Sequence, residues 1–334
     1  MNAVRLSEAR SAAELMDAPE PSPGPGEALV RVEACGLCRS DLFIQSLEKL
    51  PQTPLTLGHE GIGVVESIGA GVSGLAPGDR VGLTYLYGGC GACEVCGAGR
   101  PELCARQRNR GYHVDGAFAA LALAQAACVA RVPTGLASEV AAPLCCAGWT
   151  AYRAVKTAAL EPGAWLAVWG AGGLGQLAIQ MAVLEGWRVV AVDPNAANRH
   201  LAVEAGAEVT LDPAGDDLRR SFKSLGGVHG AISFVAAAAT VADAARAVRR
   251  GGCLVLVGLA PETIELPLLD IVLKGLRIEG SFLGRQADLD AVFALAEQGR
   301  LRPAVHTCAL DEVPAALETM REGRLAGRMV AVLG

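Results

Sequence analysis

Cys90, Cys93, Cys96 and Cys104 stand in the spacing C-x2-C-x2-C-x7-C. A C-x2-C turn lets two thiolates converge on one point, and four sulfurs so arranged suit a closed tetrahedral zinc site better than a disulfide knot. Ferredoxin-type iron–sulfur clusters also begin C-x2-C-x2-C, but their fourth cysteine comes sooner and precedes proline. Here Ala105 follows Cys104. A closed site has no open position for substrate, so the lobe at residues 88–106 is expected to hold shape. The chemistry must lie elsewhere.

Three further segments carry donors for an open metal site: Gly36-Leu-Cys38-Arg39-Ser40-Asp41, Gly58-His59-Glu60, and Cys145-Cys146-Ala147-Gly148-Trp149-Thr150. Each alone is ordinary, since buried cysteines usually behave as small hydrophobes and a lone histidine is more often structural than a ligand. A fourth segment, Gly170-Ala-Gly172-Gly173-Leu174-Gly175, is G-x-G-x-x-G between an expected strand and an expected helix. Such a turn lets a pyrophosphate approach backbone N–H groups at the helix start. Asp193 closes the next strand 18 residues after Gly175, where a carboxylate hydrogen-bonds ribose hydroxyls and repels a 2′-phosphate. NAD is therefore expected over NADP. Arg199, in the following helix, reads as a solvated helix face.

The elements that must position these groups fall into two series. Up to about residue 148 the chain reads as short strands between turns: 28–34 alternates apolar and polar, and 61–68, 80–83 and 117–123 are further strands, with Pro77-Gly78-Asp79 as a sharp turn. After Glu161-Pro162-Gly163 strands and helices alternate: strands at 165–169, 188–193, 209–211, 232–235 and 254–257, helices at 174–185 and 196–205. That rhythm means a parallel sheet with helices on both faces, a Rossmann-type α/β fold. A tail with a helix at 289–297 and a strand at 328–333 is expected to return to the first domain. The expected domains are 1–148, 149–284 and the returning 285–334.

The 334 residues carry a net charge of −6 and are 51% hydrophobic, which excludes a basic nucleic-acid or anionic-membrane binder. Residues 164–184 contain no charge over 21 positions, but the glycine turn within them fits a buried strand–turn–helix better than a membrane span. Met1 to Arg10 lacks the apolar core of a signal peptide. Eleven cysteines with no such signal point to a reducing cytoplasm.

Together, the four-cysteine lobe, the three donor segments, GAGGLG and the stretch RRGGCLVLVGL (249–259) resemble the zinc-dependent medium-chain alcohol dehydrogenases, in particular the bacterial type, over essentially the whole chain. The resemblance implies an N-terminal GroES-like, β-rich catalytic domain beside the Rossmann domain, two zinc ions per chain, NAD, and a homo-oligomer, dimer or tetramer. It implies that Cys38, His59 and Cys146 bind a catalytic zinc, with Glu60 beside it and Arg328 paired to Glu60. Asp41 would orient His59, Ser40 would take the alcohol proton, and Arg39 and Thr150 would touch the cofactor. Cys145 would be a neighbour in the core, and Cys35, Cys128, Cys253 and Cys308 would serve packing. The implied reaction is hydride transfer between a small primary or secondary alcohol and NAD, giving an aldehyde or ketone.

The chain departs from that family where substrate would sit. Phe43 replaces a histidine that passes the proton to solvent in many relatives, Tyr85 stands where tryptophan is common, and Trp149 where a small aliphatic residue is common. These three are expected to line a reshaped pocket. Two other readings compete: a polyol or amino-alcohol dehydrogenase, which would usually carry glutamate in place of Cys146, and a non-catalytic zinc-stabilised nucleotide-binding protein, which would need no open zinc site.

Overall fold

A computed structural model describes residues 1–333. The chain divides into two compact units, Met1–Cys146 with Arg285–Gly334, and Ala147–Gly284. The helix Ala147–Ala158 belongs to the second unit from its first residue, so the division falls after Cys146 rather than after residue 148.

The first unit is built on Glu27–Gly36, whose alternating sequence buries every second side chain until its last three residues are all buried. It pairs antiparallel with Glu60–Ile68 and with Arg328–Val332 near the C-terminus, and Leu121–Gln125 adds to it as a further strand. The pairing of Val330 with Gly36 ties the tail into this sheet. Glu60–Ile68 in turn pairs with Arg80–Leu83. The core beneath includes Val30, Val32, Leu37, Leu57, Val81 and Phe118.

The strand expected at 117–123 starts only at Leu121. The reason is a change of partner. Ala117 and Phe118 donate to Gly58 and Leu57, and Phe118 accepts from Val4, before the chain crosses to Glu27–Gly36.

The second unit is a six-stranded parallel sheet in the order Val209–Leu211, Arg188–Val192, Trp165–Trp169, Val228–Ser233, Val248–Leu256, Arg277–Gly280. Strand order reverses beside Trp165–Trp169, the place where doubly wound sheets bind ligands at the carboxyl ends of their strands. The strand expected at 232–235 runs Val228–Ser233, and the one expected at 254–257 begins at Val248. Both begin ahead of an irregularity in register near Gly230, which breaks the apolar run that marks them in sequence. No helix among the described residues is long and apolar enough to cross a membrane.

Candidate active site

In the first unit, ligand atoms of Cys38, His59, Glu60 and Cys146 all lie within 4.8 Å of one another, and all four residues are buried. Local structure explains the convergence. Cys38 is the residue before the helix Arg39–Ser46, and its N–H donates to Asp41 Oδ2 at 2.9 Å. The same aspartate accepts from Gly58 N–H at 3.3 Å, so one buried carboxylate fixes the backbone of Cys38 and that of Gly58, the residue before His59. Asp41 Oδ1 lies 3.3 Å from His59 Nδ1, off the line of a good hydrogen bond but close enough to fix the ring. That assigns Nδ1 to Asp41 and leaves Nε2, buried and without a protein partner, for the cluster.

Glu60 opens the strand paired with Glu27–Gly36, opposite Gly36. One carboxylate oxygen accepts from Arg328, and the other is buried without a partner. A Cβ on Gly36 would stand 2.1 Å from that second oxygen, so any side chain there would have to displace the carboxylate. Cys146 follows the turn Ala142–Cys145 and supplies its sulfur to the cluster. Cys145 instead points to the Gly61 carbonyl at 3.8 Å.

Electrostatics marks the cluster as short of positive charge. A hydrogen bond from Cys146 holds Cys38 well below the usual thiol range, and the same contact pushes Cys146 up. Burial pushes Glu60 up to about 8 in spite of Arg328. Burial lowers His59, but Asp41 and Cys38 outweigh it and hold the ring above its ordinary value. Two thiols, one imidazole nitrogen and one carboxylate, two of them with orphaned buried atoms, fit a divalent metal that accepts nitrogen and sulfur.

Around the cluster, Ser40 Oγ accepts from the Cys38 thiol at 3.6 Å. The Tyr85 ring meets His59 edge-on with centroids 5.1 Å apart. Phe43, expected to line a pocket, has 51% of its surface exposed. Arg39 is exposed.

The Cys90, Cys93, Cys96 and Cys104 sulfurs form the second cluster. Cys90 and Cys96 sulfurs are 4.0 Å apart, Cys93 and Cys104 3.7 Å. A tetrahedron with zinc–sulfur legs of about 2.3 Å has edges of about 3.8 Å, so the spacing fits that ion. Cys104 sulfur also accepts from the Cys90 and Arg106 N–H groups. Among the described residues no other cluster of this kind occurs.

In the second unit, the turn Gly170–Gly175 leaves Trp165–Trp169 and opens the helix Gly175–Leu184. A Cβ on Gly175 would lie 2.0 Å from the Gly170 carbonyl oxygen, so only glycine closes this turn. Asp193, just beyond Arg188–Val192, is 6% exposed. Its carboxylate accepts from Ala171 N–H in the turn and from Asn195 N–H, each at 2.8 Å. Asn198 Nδ2 lies 3.3 and 3.2 Å from its two oxygens. Trp149 and Thr150 are buried in the first turn of Ala147–Ala158. Arg199 is not a solvated helix face: its Nη1 donates to the Asp193 and Pro194 carbonyls at 2.8 and 2.9 Å and faces Asp212 Oδ2 at 3.2 Å. Sequence reading missed Gly36, Asn198 and Asp212. The last had a signal, since VVAVD and VTLD each end a strand in aspartate.

Within the second unit, a cavity of about 380 Å³ lined by Leu160, Pro162, His229 and Arg249 lies at the amino ends of the strands, the end opposite the Gly170–Gly175 turn.

A profile of the alcohol dehydrogenase GroES-like domain matches residues 24–134, and one of the zinc-binding dehydrogenases matches residues 173–298. An alcohol dehydrogenase of Geobacillus stearothermophilus is 39% identical over 333 residues, 99% of each chain. The solved alcohol dehydrogenase of the archaeon Aeropyrum pernix superposes with a TM-score of 0.93 at 33% identity, covering 100% of both chains. A solved NAD-dependent alcohol dehydrogenase gives a TM-score of 0.90 at 30% identity, again over 100% of both.

Proposed function

Because the chain belongs to the zinc-binding, GroES-like alcohol dehydrogenase family, we propose that it oxidises a primary or secondary alcohol reversibly, with NAD as hydride acceptor. The observation that carries this is the buried set of Cys38, His59, Glu60 and Cys146 with its unpartnered imidazole and carboxylate atoms. Cys38, His59 and Cys146 would hold the catalytic zinc, with Glu60 as an adjacent ligand kept in place by Arg328. Cys90, Cys93, Cys96 and Cys104 would hold the structural ion. When bound, the catalytic ion supplies Lewis-acid polarisation of the alcohol oxygen, as it acidifies water, and NAD supplies the hydride chemistry.

The chain's own residues bind, orient and move the proton. Asp41 fixes the His59 ring, as an acceptor behind a ligating histidine does. Ser40, beside Cys38, would take the hydroxyl proton. Tyr85, packed on His59, would shape the substrate side, together with Phe43 and Trp149. The Gly170, Gly172, Gly173, Leu174 and Gly175 turn would cradle the pyrophosphate, with Asp193 reading the ribose and Arg39 and Thr150 contacting the cofactor.

Two coarser features accompany this reading. Leu268, Leu269, Val272 and Leu273 of the helix Leu268–Lys274 are exposed, next to the outermost strand Arg277–Gly280. An open strand edge with apolar side chains beside it supports a homo-oligomer, dimer or tetramer. Eight cysteine-, histidine- and glutamate-bearing positions gathered into two donor clusters suit a reducing compartment, the cytoplasm.

The test is to incubate the zinc-loaded protein with NAD and a panel of alcohols while following the absorbance of reduced nicotinamide, and to measure metal content. Turnover with two zinc ions per chain is expected. Silence across the panel with both ions present would favour a non-catalytic nucleotide-binding role.

A further inference from the structure

We propose that Asp212 sets the strictness of cofactor choice by neutralising Arg199, the cation best placed to accept a 2′-phosphate. The proposal rests on the dinucleotide reading above. Arg188–Val192 and Val209–Leu211 are parallel neighbours with Val192 opposite Leu211. Asp193 and Asp212 are therefore matching residues, each the first beyond its strand, on the carboxyl edge of the sheet. Arg199 reaches back to this edge from the helix Ala196–Glu204, where its guanidinium meets the Asp212 carboxylate.

Arg199 is held from several directions. Nη1 donates to the carbonyls of Asp193 and Pro194 at 2.8 and 2.9 Å and lies 3.2 Å from Asp212 Oδ2. Asp212 is itself fixed: its Oδ1 accepts from Ala214 N–H at 2.9 Å, and its own N–H donates to Asp216 Oδ2 at 2.7 Å. The Arg199 and Asp212 side chains are 22% and 30% exposed, so solvent screens the pair only in part.

The charge at this edge decides which nucleotide it accepts. Asp193, Arg199 and Asp212 together carry one net negative charge, and a 2′-phosphate would add about −1.5 to −2. Arginine matches phosphate oxygens with its planar fork and is a usual partner of that group. Without Asp212, Arg199 would keep only its bonds to the Asp193 and Pro194 carbonyls and be open to phosphate. Asp193 acts on the ribose directly; Asp212 acts through Arg199, as a positioning residue.

The experiment is to titrate NADH and NADPH, followed by nucleotide fluorescence, into the zinc-loaded full chain and its Asp212→Asn, Asp212→Glu, Arg199→Gln and Asp212→Asn/Arg199→Gln variants. Asparagine keeps an oxygen for Ala214 N–H. Asp212→Asn is expected to tighten NADPH by about five- to tenfold, the net worth of about one hydrogen bond that the freed Arg199 can give to phosphate, while NADH changes by less than about twofold. Asp212→Glu should keep the parent ratio, and the double variant should lose the gain. An NADPH-to-NADH ratio unchanged in Asp212→Asn would overturn the proposal. So would a gain that survives loss of Arg199, since that effect would be bulk charge alone. A parent protein that binds neither nucleotide would instead remove the dinucleotide reading, and this inference with it.

Discussion

Replacing Cys93 by serine asks whether the four-cysteine lobe is held by metal or by its own packing. The structure gives the lobe almost nothing to pack with. The short helix Glu94–Gly97 buries no side chain, Leu103 is 42% exposed, and the turn Pro101–Leu103 buries only Glu102, one of whose oxygens has no partner. Cys104 is the sole apolar residue of the stretch in the buried class. Fixing the 15 residues from Cys90 to Cys104 costs about 15 kcal/mol at about 1 kcal/mol each. A structural zinc site returns about 10–16 kcal/mol, so the metal alone is of the size needed. With one sulfur replaced, that term shrinks and the lobe should unfold by itself. The antiparallel core beneath shares none of these residues. The assay is limited trypsin digestion read by mass spectrometry. Arg106 and Arg108 should become early cleavage sites in Cys93→Ser and in the chelated parent, while the main thermal transition persists. A variant that has lost one metal per chain yet resists cleavage at both arginines would refute the reasoning.

Three other perturbations test the rest of the molecule. Gly36→Ala would push its new methyl into the Glu60 carboxylate, lowering stability by about 1–3 kcal/mol and kcat/KM at least tenfold while NADH binding stays; unchanged kinetics would show that Glu60 is not needed where it lies. Phe43→His places a base with a pKa near about 6.5 at a half-exposed site three residues after Ser40. It should raise kcat for oxidation near neutrality toward the lower end of the about 10²–10⁴-fold general-base range and flatten its pH dependence; superimposable profiles, with hydride transfer limiting, would mean another proton exit. Arg131 holds Asp79 below its ordinary 3.8 through contacts of 2.8 and 3.0 Å. A depressed acid stabilises above its unfolded pKa and loses that as pH falls through its folded value, so Arg131→Leu should be less stable at neutral pH in urea, with the gap closing only below about pH 4; a gap constant down to pH 2 would contradict the pairing.

Local pattern was enough wherever one neighbour decides an element. Arg80–Leu83, Trp165–Trp169 and Val209–Leu211 have the bounds read from sequence, because an apolar run between strong turn residues has one way to lie in a sheet. Pattern failed where the chain changes partners. Residues 117–120 bend, with the Ala117 and Phe118 N–H groups going to Gly58 and Leu57 and Ala119 bridging to Ala3, and no periodicity records such a change of partner. Arg199 misled for the same reason: helix spacing gives it an outward position, while the carbonyls and the acid that hold it come from two strand ends. The family pattern pointed to Cys146 among the donors, but the support around them, Gly36 behind Glu60 above all, is a matter of tertiary distance.

The support also explains why the donor set is costly to keep. Asp41, Glu60, Cys38 and Cys146 are all buried, and among the described residues Arg328 is the one arginine or lysine paired with any of them, His59 facing Asp41. Burial drives Glu60 up to about 8, and the Cys38 contact, with burial second, drives Cys146 up as well; the protein left to itself keeps protons there. A divalent ion changes that balance by two charges, and the protons must leave as it enters. A core that needed only to be stable would have placed apolar residues at these positions, since buried ionic groups rarely repay their desolvation. Holding four such groups against that cost, with Asp41 fixing the Cys38 backbone and the His59 ring and Arg328 the Glu60 carboxylate, makes sense only if a cation belongs among them.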